Sequence, residues 1–163
     1  MQAKSIKLPG LDYPITIEPN PARVTVSLAG RIIADTREAL TLREASYPAV
    51  QYIPRKDVDM SLLQRTDHAT YCPYKGDCAY YSIPSGGKRS ANAAWTYEAP
   101  YAAVAEIKDH LAFYPDRVDE IKEQNSNDAS EERYTILEAN PLALFRDGPP
   151  FVEYTLSSLD AVL

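Results

Sequence analysis

The segment TYCPYKGDCAYYS, residues 70–82, places a thiol, a lysine and several hydroxyl groups close together in the chain. Its flanks favour β-strands, because Tyr and Thr suit a pleated, half-buried surface. Pro73 fixes its own φ and Gly76 permits a positive φ, so the middle predicts a tight turn. We therefore expect strand, turn, strand, with Cys72 and Lys75 near the tip. Residues that line a cleft often lie on such a turn, although a purely structural hairpin has the same pattern.

Cys72 is the first candidate catalytic residue. A cysteine nucleophile must be activated as a thiolate by a nearby cation, and Lys75, Arg55 or His68 could supply one. Burial among the neighbouring tyrosines would instead raise the pKa of the thiol. With Cys78 as a resolving partner, Cys72 would also suit thiol redox chemistry. The alternative is an inert cysteine that packs as a small hydrophobic residue.

Asp57 is a second candidate, because Asp57-Val58-Asp59 places two carboxylates on the same side of an extended segment. Paired carboxylates hold the divalent metal in nucleotidyl transfer. A charged surface turn explains the same residues, since Asp is common in turns.

No metal or cofactor motif is complete. The two cysteines, even with both histidines added, lack the spacing of a zinc site. The segment GGKRS, residues 86–90, resembles a phosphate-binding loop, but Ser82 and Arg89 occupy positions that require Gly and Ser or Thr. We therefore predict neither a metal nor a cofactor.

The segment AWTYE, residues 94–98, is the second cluster of candidate functional residues. As a strand it directs Trp95 and Tyr97 to one face, where they wall a pocket or fill the core. Glu98 points to the other face, where Arg55 or Lys75 could pair with it. Glu98 is thus the third catalytic candidate.

Composition limits the classes of protein that need consideration. The chain has 163 residues, enough for one domain, and its 13 Pro argue against a helical bundle. A net charge of −6 disfavours a nucleic-acid partner. No apolar run is long enough for a membrane helix, and the N-terminal residues lack the apolar core of a signal peptide. We therefore expect a cytoplasmic protein with free thiols.

Short strands with turn signals between them predict a mostly-β fold. The clearest is a hairpin, in which Arg23–Leu28 alternates apolar and polar residues and Ala29-Gly30 makes the turn. The segment REALTLREA, residues 37–45, fits a helix or a strand, and the closeness of Pro48 favours the strand. The segment PSGGKRSANA, residues 84–93, predicts a flexible loop. Short helical turns are expected at Ser61–Arg65 and Val104–Asp109.

Four regions follow from these patterns. Residues 1–22 form a proline-rich extended strap, and residues 23–121 form the core domain, with a last core strand at 111–114. Residues 122–133 are polar and nearly free of apolar groups, which predicts a linker or mobile loop. Residues 134–163 regain apolar character and are expected to dock on the core or on a neighbouring subunit.

The chain resembles the domain-of-unknown-function 427 family over about residues 23–114. The resemblance rests on the motifs RV with Gly30, ADT, AL with Glu44, PRKDV, TYCPYKG, AWTYEAP and LAFY, residues 23–24, 34–36, 39–40, 54–58, 70–76, 94–100 and 111–114. It implies a β-tent architecture, like that of B-type methionine-sulfoxide reductases and the ligand-binding domain of cereblon. The family is also catalogued under a nucleotidyltransferase label. Cys78 departs from its pattern, which more often has a small residue there.

We therefore expect one β-tent-like domain that binds a small molecule, with nucleotide handling implied only by the family label. An anionic ligand group is one option, and a homo-oligomer is left open. A non-catalytic module that binds a peptide, or a thiol redox protein, are the alternatives. The cleft is expected to be lined by residues that supply charge, aromatic surface and hydrogen bonds: Arg55, Asp57, Thr70, Cys72, Lys75, Trp95, Tyr97 and Glu98.

Overall fold

The computed structural model describes residues 3–125, and residues up to Glu123 form one compact unit. Two sheets make up its framework. Seven strands form the larger sheet in the order β1-β4-β5-β9-β8-β7-β6, and every neighbouring pair in it is antiparallel. The smaller sheet has the order β10-β2-β3. The mostly-β prediction is confirmed. The strands are β1 Ile15–Asn20, β2 Arg23–Leu28, β3 Arg31–Thr36, β4 Ala39–Glu44, β5 Val50–Pro54, β6 Gln64–Cys72, β7 Gly76–Ser82, β8 Ala94–Thr96, β9 His110–Phe113 and β10 Glu120–Gln124.

Short 3₁₀ segments connect the strands. They span Arg55–Asp57, Met60–Leu62, Pro84–Ser90, Ala102–Ile107 and Pro115–Arg117. Proline begins two of them, at a position where its missing N–H has no partner to lose. The helical turn predicted at Ser61–Arg65 is found at Met60–Leu62, and it ends earlier than predicted because β6 already begins at Gln64.

Strand alternation divides the apolar residues between two clusters on opposite faces of the larger sheet. In β7, Cys78 and Tyr80 belong to one cluster, whereas Tyr81 belongs to the other. The Tyr81 cluster fills the space against the smaller sheet, which contributes residues such as Val24 and Val26. The Tyr80 cluster lies on the opposite face, against the 3₁₀ segment Ala102–Ile107.

The ambiguous segment after Thr36 is a strand, as favoured from the sequence: β4 pairs with β5 and with β1. The pairing of β4 with β1 shows that part of the predicted N-terminal strap belongs to the larger sheet. Residues 15–20, predicted as part of a strap outside the core, form the edge strand β1. Residues 3–9 form no regular secondary structure, and an isolated bridge then pairs Gly10 with Tyr13.

The segment predicted as a flexible loop, residues 84–93, is instead fixed by packing and hydrogen bonds. Ser90 is fully buried and its hydroxyl donates to the carbonyl of Arg117 at 2.7 Å. The Arg89 guanidinium reaches the carboxylate of Asp119 and the carbonyl of Asp116. Composition alone predicted mobility, but these distant partners order the segment.

A tenth strand, β10, follows the strand predicted to be the last. The predicted linker begins at residue 122, inside β10; its later part and the extension at 134–163 lie outside the described residues. Among residues 3–125, no helix is long and apolar enough to cross a membrane.

Candidate functional site: an aromatic cavity

A cavity of about 1060 Å³ opens on the larger sheet. Its first region lies on the face of the Tyr80 cluster and is rich in tyrosine. Its second region reaches the smaller sheet through Val26 and β10. The residues that define the first region are Tyr13, Leu42, Glu44, Tyr52, Lys75, Tyr80, Trp95, Tyr97 and Tyr114.

Aromatic side chains from β5, from β8 and from the residue that follows β9 build the wall of this region. Trp95 in β8 donates its indole N–H to the Tyr52 hydroxyl at 3.1 Å, and the two rings meet edge to face with centroids 6.3 Å apart. On its other side, Trp95 contacts Tyr114 at 4.5 Å between centroids. Such mutual contacts limit ring rotation, so the wall offers a flat ligand a largely preformed surface.

A buried ion pair lies at one end of the cavity. The Lys75 ammonium binds Glu44 Oε1, and the two side chains are only 8% and 15% exposed. The ammonium also lies 5.7 Å from the centre of the Tyr97 ring. Because both charges are largely removed from water, each depends on the other for compensation.

The turn between β6 and β7 fixes the position of Lys75. The Lys75 N–H donates to the Cys72 carbonyl at 3.3 Å, and the Lys75 carbonyl accepts from Tyr101 N–H at 3.1 Å. Gly76 follows with φ +110°, and a Cβ there would lie 3.4 Å from the carbonyl oxygen of Ala99. A glycine is needed at this position, since other residues resist such a φ. The predicted strand, turn and strand are confirmed, but the lysine turns inward and is buried.

The N-terminal strap closes the same end. Tyr13 stacks on Tyr74 with centroids 4.0 Å apart, and its hydroxyl donates to Glu44 Oε2 at 2.5 Å. This hydrogen bond is the main reason that the pKa of Tyr13 is raised. Glu44 therefore receives one hydrogen bond on each carboxylate oxygen, from Tyr13 and from Lys75.

Three of the cavity phenols, those of Tyr52, Tyr80 and Tyr97, are held in the neutral form by burial. Burial raises the pKa of Tyr52, Tyr80 and Tyr97 above the ordinary value for tyrosine. These groups therefore offer ligands a hydroxyl that donates or accepts a hydrogen bond. They do not provide a phenolate base at neutral pH.

The structure brings together part of the predicted cleft. Lys75, Trp95 and Tyr97 line the cavity. Cys72 is half-buried and packs against the same apolar cluster. Thr70 is exposed, but its hydroxyl lies 2.8 Å from that of Tyr80, a lining residue.

Arg55, Asp57 and Glu98 are not among the lining residues of the cavity. Arg55 donates to the Tyr81 hydroxyl at 3.2 Å, on the face of the other cluster. Glu98 forms a two-pronged ion pair with Arg65, at 2.6 and 2.8 Å, so the predicted partners Arg55 and Lys75 are wrong. The Arg65 guanidinium holds the pKa of Glu98 below its usual value.

Asp57 has a structural partner in the smaller sheet. Its carboxylate accepts from the Thr36 hydroxyl at 2.7 Å and contacts the ammonium of Lys56 at 3.2 Å. Among the described residues, no group of three or more His, Cys, Asp or Glu side chains could hold a metal ion.

The two cysteines share one face of the β6–β7 hairpin but are not opposite each other. Cys72 pairs with Gly76 and Cys78 pairs with Thr70, which makes the cysteines diagonal neighbours. Diagonal positions are about 7–8 Å apart, beyond the usual span of a disulfide. Burial raises the pKa of Cys78, so this thiol is a poor resolving nucleophile.

Sequence reasoning missed several tyrosines of the cavity and the carboxylate that completes its ion pair. Tyr52 alternates with the buried Ile53 in β5, and this periodicity could have placed it beside Trp95 once the strand order was known. Glu44 and Tyr13 come from β4 and the strap, far from residue 75 in the chain. No local pattern joins Tyr13 to Glu44, because their contact depends on the pairing of β1 with β4.

The comparison with family models gives one match, to the domain of unknown function DUF427, over residues 16–124. This match covers more than half of the chain. The chain belongs to the DUF427 family. The matched region extends beyond the resemblance seen in the sequence and takes in most of β1 and all of β10. The family description assigns no function, although the model is named NTP_transf_9. A comparison with curated proteins finds no match.

Proposed function

We propose that this DUF427 protein binds a small molecule with a flat ring in the aromatic cavity. The observation that carries the proposal is the combination of an aromatic wall with the buried Lys75–Glu44 pair in one concave space. Ligand sites usually combine apolar walls with a few fixed polar groups that set the orientation of the ligand. At about 1060 Å³, the cavity slightly exceeds the usual range for such sites, about 300–1,000 Å³.

A nucleotide is one ligand that this proposal includes, and the name of the family model supports testing it. Its base would contact the aromatic wall, and the Lys75–Glu44 pair would be its polar contact. Transfer chemistry is not part of the proposal, since Asp57 and Glu98 lie outside the cavity lining. Among the described residues, no observation supports the peptide-binding or redox alternatives as the cavity and its ion pair support small-molecule binding. Location in the cytoplasm remains a prediction.

Trp95 supplies a direct assay, because it is the chain's single tryptophan and it lines the cavity. We would titrate the full chain with flat aromatic compounds and with aliphatic compounds of similar size, and record tryptophan fluorescence. Flat rings should change the emission in a saturable way. Aliphatic compounds should not.

A matched pair of variants locates the binding. Tyr97 and Tyr81 are each 6% exposed, but only Tyr97 lines the cavity. Tyr97→Leu should weaken binding at least tenfold, since stacking on an aromatic side chain contributes about 1–3 kcal/mol per ring. Tyr81→Leu should cost similar stability but leave affinity unchanged. Equal losses of affinity in the two variants, measured where both are folded, would place the ligand elsewhere.

A further inference from the structure

The Lys75–Glu44 pair offers a cavity ligand hydrogen-bond donors beside hydrogen-bond acceptors. Both residues line the cavity. An ammonium has three N–H donors and a carboxylate has about four acceptor sites. The hydrogen bonds between Lys75, Glu44 and Tyr13 use one lysine donor and one acceptor site on each oxygen of Glu44. Donor and acceptor capacity therefore remains at adjacent positions.

The charge of the lining disfavours an anion. Among the described residues that line the cavity, Lys75 is the only lysine or arginine, and the Glu44 carboxylate lies directly against its ammonium. A phosphate at Lys75 would have to compete with Glu44 for the ammonium and approach its carboxylate. An uncharged ligand can bind both members of the pair without separating buried charges.

We propose that the cavity binds an uncharged planar heterocycle that carries an N–H group directly beside a C=O group on its edge. The carbonyl oxygen accepts from Lys75 and the ring N–H donates to Glu44, while the ring contacts Tyr52, Trp95 or Tyr97. Pyridones and the lactam forms of nucleobases have this edge. This inference rests on the proposed function and narrows it to the base-like part of a nucleotide, without its phosphate.

Matched ligands test the inference on the full chain. We would use isothermal titration calorimetry with 2-pyridone, uridine and inosine, each against the analogue methylated at the lactam nitrogen: N-methyl-2-pyridone, 3-methyluridine and 1-methylinosine. At least one N–H compound should bind at least about tenfold more tightly than its methylated partner, because a hydrogen bond to a charged group is lost. Uridine 5′-monophosphate and inosine 5′-monophosphate should bind no more tightly than the nucleosides.

A double variant assigns the preference to the ion pair. Lys75→Met with Glu44→Leu replaces both charges by apolar groups, an exchange that buried pairs often tolerate. It should reduce the preference for the N–H compound to less than about twofold, a difference below the contribution of one ordinary hydrogen bond. The exposed pair Lys56–Glu38 provides the control, as Lys56→Met with Glu38→Leu, which should keep the full preference. If the Lys75→Met, Glu44→Leu double variant does not fold, the ligand series on the unmodified chain still tests whether the cavity prefers the N–H compounds.

Three results would overturn the inference. They are equal affinity for the N–H and N-methyl partners, tighter binding of a monophosphate than of its nucleoside, and binding of rings such as indole with no binding of any lactam. All three leave a flat-ring site in the cavity. Absence of binding by every flat ring tested, indole included, would instead refute the proposed function itself.

Discussion

Replacing Lys75 by methionine should destabilise the fold strongly. The substitution keeps most of the side-chain volume but removes the ammonium from the Glu44 carboxylate, which is 15% exposed and keeps its hydrogen bond from Tyr13. Removing one partner of a buried ion pair costs about 3–5 kcal/mol. Because the two side chains retain slight exposure, we expect a value near the lower limit, about 3 kcal/mol. The melting temperature should fall by roughly 10 °C in a domain of this size.

Urea unfolding followed by Trp95 fluorescence measures this loss, and a double-mutant cycle tests its cause. Lys75→Met and Glu44→Leu should each be destabilising, but the double variant should lose less than the sum, with a coupling of about 2 kcal/mol. Lys56→Met is the matched control, since its ammonium is exposed in its ion pairs with Glu38 and Asp57, and it should change the unfolding midpoint only slightly. Additive losses, or a Lys75→Met loss below about 0.5 kcal/mol, would refute a buried, mutually dependent pair.

Three further predictions concern other parts of the fold. Gly86→Ala should destabilise by about 1–3 kcal/mol in urea unfolding, because its Cβ would lie 2.0 Å from Ser90 Oγ and 2.8 Å from Leu28 Cδ2, whereas Gly10→Ala, with open space around it, should be neutral. Iodoacetamide should label the half-buried Cys72 well before the buried Cys78, whose thiol pKa is raised by burial; peptide mapping that shows equal rates would contradict this. Stability should fall on acidification below about pH 4.5, since the folded-state pKa values of Glu98 and Asp119 lie below their ordinary values of 4.5 and 3.8: their contribution is complete above the unfolded pKa values and is lost as pH falls through the lower folded ones. Glu98→Gln should flatten that dependence in urea titrations at successive pH values, and an unchanged slope would contradict the assignment.

Local chemistry predicted much of the fold. The hairpin of β2 and β3 followed from alternation and from the turn at Ala29 and Gly30, where both φ values are positive. The tight turn before Gly76 followed in the same way. Residues 84–90 were misjudged because their order comes from partners such as Arg117 and Asp119, which composition does not reveal.

The candidate site was only partly predictable, for a topological reason. Trp95 and Tyr97 belong to one short segment, so strand periodicity placed them together. Lys75 was expected near the tip of the turn, but its partner Glu44 comes from β4, which β5, β9 and β8 separate from β7 in the sheet, so no local pattern joins the two residues. Arg55 and Glu98 were grouped with the cavity residues because side-chain type does not show which sheet face a residue occupies.

The indole N–H signal of Trp95 reports directly on ligand binding in the aromatic cavity. The chain has one tryptophan, so a ¹⁵N-labelled sample gives one indole cross-peak, from a group that donates to Tyr52 inside the cavity. Titration with flat heterocycles should shift this peak in a saturable manner, together with the backbone amides of Lys75 and Tyr97. Shifts confined to the neighbourhood of Arg55 and Glu98, with the Trp95 peak unmoved, would show that flat heterocycles do not bind in the aromatic cavity.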